Sequence, residues 1–124
     1  MLRFIMVLTM FLSGPAMAHQ FTPTYPKLDR SYVPGVMKTV MELFNLRSDV
    51  EYYEIAVFDK DWNKVPFATP AKIINVKHLK TKRFDVFIRD KDISRALYVC
   101  TKSKLIVNGS AITSVSSRIC SKFK

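Results

Sequence analysis

The sequence predicts an all-β chain folded as an antiparallel sandwich of roughly seven or eight short strands. Two observations carry that expectation. Apolar and polar residues alternate at period two along most of the chain, in runs rich in Val, Ile, Thr, Tyr and Phe. Turn-forming residues also interrupt these runs about every 8–12 residues, a spacing that suits strands and leaves no convincing helix.

The elements follow in order. Residues 1–18 read as a secretory signal: Arg3 is a positive n-region, Phe4 to Leu12 an apolar stretch, and Ala16-Met17-Ala18 a small-x-small cleavage site. The apolar stretch is about half what a membrane-spanning helix needs. The domain is therefore expected over residues 19–124, starting at His19, with no transmembrane segment and an exported, periplasmic location. Lys27 to Val33 is expected as the opening strand, stopped by Pro34-Gly35. Met37 to Asn45 alternates Met37, Thr39, Met41 and Leu43 against Lys38, Val40, Glu42 and Phe44. Leu46 to Val50 is turn-like. Glu51 to Asp59 sets Tyr53, Ile55 and Val57 on one face, so that one of Tyr52 and Tyr53 belongs to the core and the other to the surface.

Asp59 to Lys64 is a loop carrying Trp62, expected to fold back over one end of the sandwich. Val65 to Ala68 reads as a short edge strand, because Pro66 cannot donate to a ladder. Ala71 to Val76 and Arg83 to Arg89 continue as strands, the second with Phe84, Val86 and Ile88 on one face. Asp90 to Ser94 reads as a turn or a single helical turn. Ala96 to Val107 and Ser114 to Phe123 close the chain.

Two cysteines in an exported chain are expected to pair. Cys100 and Cys120 are equidistant from Ser110, beside the hairpin-turn dipeptide Asn108-Gly109. A turn confined to Asn108-Gly109 would place Cys100 opposite Ser117, so pairing of the cysteines requires a longer or bulged return. No CxxC spacing is present to make the pair redox-active.

Composition narrows the function. The chain carries a formal net charge of +10, and from Lys77 onward twelve basic residues face only Asp85, Asp90 and Asp92. Such a half favours contact with an anionic surface or partner. Export argues against nucleic acid. The sequence has no Gly-rich phosphate loop, GxSxG or HExxH motif, and no enzymatic activity or cofactor is expected.

Arg30-Ser31-Tyr32-Val33-Pro34-Gly35, followed by Val40-Met41-Glu42-Leu43-Phe44-Asn45, resembles the first two strands of periplasmic pilus-assembly chaperones. The terminal Ser117 to Lys124 stretch is similar to the last strand of their N-terminal immunoglobulin-like domain. That resemblance implies an immunoglobulin-like sandwich with a disulfide between its last two strands. It also implies non-enzymatic, chaperone-like binding of a protein partner, such as a secreted or surface-assembled subunit, by strand-edge pairing. Val115, Ile119 and Phe123 would supply the alternating apolar side chains. Arg30 and Lys122 would grip a carboxylate, although strict alignment on Arg118-Ile119 puts Cys120 at the Lys position. The family's second domain is expected to be missing, which makes this a single-domain relative.

Two other readings arise from the residues. His19 at a processed N-terminus, with His78 as the second imidazole, is an alternative copper site of the kind exported β-sandwiches use. The short, basic, signal-bearing format also resembles small accessory structural proteins of tailed phages. Asp59, Asp61 and Asn63 have the spacing of a calcium loop but lack its Gly and closing Glu.

Overall fold

The computed structural model describes residues 18–107, 110–112 and 116–124. Most of the expected signal segment, the Asn108-Gly109 turn and Val115 lie outside the described residues. Among the described residues, nine strand segments occupy seven strand positions in two antiparallel sheets.

In the first sheet, β3 (Val36–Phe44) pairs along its whole length with β6 (Thr81–Arg89). Its other edge holds two fragments, β1 (Gln20–Thr22) and β2 (Asp29–Arg30). In the second sheet, β4 (Tyr52–Phe58) lies between β5 (Ile73–Asn75) and β7 (Tyr98–Val107). The far side of β7 is taken by β8 (Ser110–Ile112) and then β9 (Arg118–Lys122). This is the immunoglobulin-like arrangement that the alternating pattern and the chaperone resemblance imply. A three-residue 3₁₀ turn, Asp90–Asp92, connects β6 to β7.

Period-two burial explains why the sheets face each other. Met41 and Leu43 of β3, Val86 and Ile88 of β6, Tyr53, Ile55 and Val57 of β4, and Val99 of β7 are all buried in one core. The two tyrosines divide as alternation requires, with Tyr53 fully buried and Tyr52 half-buried.

The opening strand differs from expectation. Only Asp29 and Arg30 of the Lys27 to Val33 run pair in the sheet. The preceding residues are drawn to the other sheet, where the N–H groups of Lys122 and Lys124 donate to the carbonyls of Thr24 and Pro26, each at 3.0 Å. The first strand is thereby split, with its middle running alongside β9. The expected Val65 to Ala68 edge strand reduces to one bridge: Ala68 and Phe87 exchange N–H···O bonds of 2.9 and 2.8 Å.

The closing hairpin shows how the cysteines meet. At its tip, Val107 faces Ser110 and Leu105 faces Ile112, the register of a two-residue turn. Lower down, Lys102 faces Arg118 and Cys100 faces Cys120, so the return limb has gained three residues between Ile112 and Arg118. The register difference agrees with the longer or bulged return that cysteine pairing demanded. Ser103 N–H donates to Ser117 O and Phe123 N–H to Leu97 O, both at 2.9 Å, so odd positions carry the ladder. The cysteines occupy a non-hydrogen-bonded pair, whose closer spacing gives the Cα–Cα distance of 4.1 Å.

The disulfide spans 20 residues, and the chain-entropy estimate for such a loop is about 3 kcal/mol. The Cys100→Ser/Cys120→Ser double variant is expected to unfold at correspondingly lower denaturant, as read from the urea midpoint against the oxidised chain.

Candidate functional site

The closing strand presents two faces and one edge. Its inward side chains are Ile119, Ser121 and Phe123. Ile119 packs against the core, Ser121 is buried, and Phe123 is a core residue only 8% exposed. This corrects the expectation that Phe123 and Ile119 are offered to a partner: the alternation seen in the sequence is the alternation of this chain's own core. The Ser121 hydroxyl has no hydrogen-bond partner. Outward lie Arg118, Cys120 and Lys122.

The edge is divided. Because odd residues bond to β7, the backbone groups of Arg118, Cys120 and Lys122 point away from the sheet. Thr24 covers the Lys122 N–H, whereas among the described residues no backbone group bonds to the outward side of Arg118 and Cys120, although β1 runs close to β9 there. A short segment of strand edge is therefore unbonded, beside the disulfide and between two cations.

Arg30 sits at the end of β2, exposed, with its guanidinium held by Asp90 Oδ2 at 3.1 Å. Lys122 stands exposed opposite Tyr98. No shared acceptor joins these two cations. Beyond Arg30, Tyr32 and Val33 are exposed on the turn that ends at Gly35, whose φ of 78° suits a residue without Cβ.

The outer face of the second sheet holds an aromatic cover over the disulfide. Phe58, Ala56, Tyr98, Cys100 and Cys120 form a second apolar cluster. Trp62 stacks on Tyr98 with ring centroids 4.7 Å apart, and the Arg118 guanidinium lies 5.3 Å from the Phe58 ring centre. Trp62 thus covers the sheet's outer face rather than the sandwich end expected from the sequence. Its φ of 63° is unusual for a bulky residue. The loop holds it there because Asp59 Oδ1 accepts the N–H groups of Asp61 and Asn63, each at 2.9 Å. The acidic spacing noted in the sequence is that of an Asx-type turn.

A buried polar network ties the opposite margin of the two sheets together. Asn45, fully buried, donates from Nδ2 to the carbonyls of Val50 (2.7 Å) and Val76 (2.8 Å). Its Oδ1 accepts from Arg47 N–H (2.9 Å) and Tyr53 O–H (2.5 Å). Arg47 extends a two-pronged contact to Asp49, at 2.9 and 2.6 Å, and reaches Ser103 Oγ at 3.3 Å. The Asp49 contact raises the Arg47 pKa, and burial pushes the Tyr53 hydroxyl up to about 12.

His19 belongs to this network. Its Nε2 is 2.7 Å from Thr101 Oγ1, its Nδ1 is 3.2 Å from Ser117 Oγ, and its ring lies 4.6 Å from that of Tyr53. Both nitrogens are engaged by hydroxyls inside the fold, while His78 is exposed on the turn before β6. The two imidazoles anticipated as copper ligands therefore have different environments, and His19 offers no free nitrogen. Asn45 entered the sequence reading only as the end of a strand, and Arg47 and Ser103 not at all. The network's one visible signal was Ser117, which interrupts the apolar alternation of the last strand.

Burial lowers the His19 pKa from its ordinary 6.5 to about 4, outweighing the hydrogen bond at Thr101, and the Arg47 charge acts in the same direction. Folded His19 is neutral at a pH where the unfolded chain is already protonated. Its contribution is complete above pH 6.5 and is lost as pH falls towards 4, by on the order of 3 kcal/mol. Urea unfolding between those pH values should show that slope, and His19→Gln should flatten it. Asn45→Ala leaves several buried groups without partners and should cost more than about 3 kcal/mol in the same assay.

No known family profile matches this chain, and no curated protein matches its sequence. The fold and its unbonded edge define an immunoglobulin-like domain of the β-sandwich class. Among solved structures it is similar to the E. coli chaperone DraB, with a TM-score of 0.59 and 14% identity over 86% of this chain. The alignment covers 53% of that protein, so this chain spans about half its length. What the likeness shows is a shared fold.

Proposed function

We propose that this chain is an exported, non-enzymatic binding module of chaperone-like design, which accepts an extended segment of a protein partner along the edge of β9. The observation that carries this reading is that, among the described residues, the outward backbone groups of Arg118 and Cys120 are unbonded in a strand otherwise secured on both sides, so that a partner segment would enter by displacing β1 from beside them. Main-chain bonding there would supply affinity. The nearby cations Arg118, Lys122 and, at the turn, Arg30 favour an acidic or carboxylate-bearing partner. The fold shared with a chaperone supports the choice of a protein as the ligand. The disulfide suits an oxidising compartment such as the periplasm.

The test exploits the strand's geometry. Arg118→Pro removes one outward N–H without touching the ladder to β7, since proline is tolerated where the donor faces solvent. With the circular dichroism spectrum unchanged, this variant should lose the proteins that the native chain retains from a periplasmic extract, as identified by mass spectrometry. Arg30→Ala should weaken the same capture. Retention of the same proteins by Arg118→Pro, or no enrichment by the native chain, rules the reading out.

A further inference from the structure

The opposite edge of the second sheet contains a vacancy one residue long. Two separate stretches of chain pair with the outer side of β4. From one direction Ile73–Asn75 faces Glu54 to Tyr52, and Ile55 N–H donates to Lys72 O at 2.8 Å. From the other, Lys64 faces Phe58, and Val65 N–H donates to Val57 O at 2.9 Å. Lys72 therefore opposes Ile55 and Val65 opposes Val57, but nothing opposes Ala56, because the intervening chain leaves to bridge Ala68 with Phe87. The reciprocal bonds are not made. Among the described residues, neither the Ile55 carbonyl nor the Val57 N–H has a partner.

Both residues are almost completely buried, and orphaned backbone groups in such places are rare. They lie on the floor of a groove of about 480 Å³ whose walls include Val65, Pro66, Phe67 and Ile73. Lys64 and Lys72 stand on its rim, with the Lys72 ammonium 5.4 Å from the Phe67 ring centre. Neither lysine forms an ion pair among the described residues. The one carboxylate in the lining, Glu54, is held by Lys104 at 2.7 Å, and that contact lowers its pKa. The groove is thus apolar inside, positive at its mouth, and short of one backbone partner.

We propose that this groove binds the C-terminal residue of an apolar-ended peptide whose preceding residues turn away from the sheet. The residue's N–H donates to the Ile55 carbonyl, and its carboxylate accepts from Val57 N–H while facing Lys64 and Lys72. Its side chain rests against Pro66, Phe67 and Ile73. The size of the vacancy selects a chain end: a through-running strand would collide with Lys72 and Val65, which already fill the neighbouring positions. The residues involved are separate from Arg30, Lys122 and the β9 edge, so the two sites stand or fall independently.

The probe is the acetylated tripeptide Ac-Ala-Ala-Leu with a free carboxylate, titrated into isotope-labelled chain while the Val57 amide is followed by NMR. A saturable shift at Val57 and Ala56 is expected. Amidating the peptide's C-terminus, or combining Lys64→Gln with Lys72→Gln, should weaken binding by about tenfold or more, as loss of a charge-assisted contact does. Both lysines are exposed, so that variant retains the fold. Arg118→Pro should leave the titration unchanged. An unmoved Val57 amide at millimolar peptide overturns the proposal, as does equal binding of acid and amide. Hexanoate binding as tightly as the peptide also overturns it, because an apolar anion alone would then suffice. Concentration-dependent shifts at Val57 without peptide would replace the peptide with a second copy of this chain.

Discussion

The pairing of β7 with β9 is the constraint on which the rest of the structure depends. β7 is the central strand of its sheet, with β4 on one side and the return limb on the other. Cys100 and Cys120 lock one register of that return. A three-residue slip, towards which the tight hairpin tip would lead, would put Ser117 opposite Cys100 and replace the inward Ile119, Ser121 and Phe123 by a different set. Disulfide and core burial therefore select the same alignment, and the three extra residues between Ile112 and Arg118 reconcile it with the register of β8.

That alignment also shapes the edge. With odd residues of β9 committed to β7, even residues face outward, and the split first strand runs alongside but bonds only at Lys122 and Lys124. The unbonded segment is short and flanked by cations, as exposed edges in folded proteins usually are. The same tension between pairing and chain path produces the gap on the far edge of the sheet. There β4 is claimed by two stretches whose connection departs to bridge β6, and one position is left unfilled.

The polar network has a different role. Asn45 closes four hydrogen bonds with no water required, and Arg47 carries its charge towards solvent through Asp49. Polar groups in such a place are costly unless all are satisfied, and these join the segment before β1 at His19, the β3–β4 turn and the closing hairpin. The neutral His19 makes that junction sensitive to mild acid. The ion pairs of Asp49, Glu54 and Asp92, whose pKa values are lowered by their basic partners, yield only at more acid pH.

Alternation along the chain determined the sandwich, most strand limits to within a residue or two, and the buried faces of β4 and β6. These follow from local periodicity, because a strand with one face in the core must repeat every second residue. The cysteine spacing likewise implied a longer or bulged return. Tertiary structure alone decided the rest. Lys27 to Val33 reads as one strand, yet two sheets compete for it and it is broken. Phe123 alternates like a side chain meant for a partner, yet the core takes it. His19 resembles a metal ligand at a terminus, yet Thr101, Ser117 and Tyr53 enclose it. In each case the deciding contact joins residues far apart in sequence, and no local pattern records which of several possible neighbours a residue will meet.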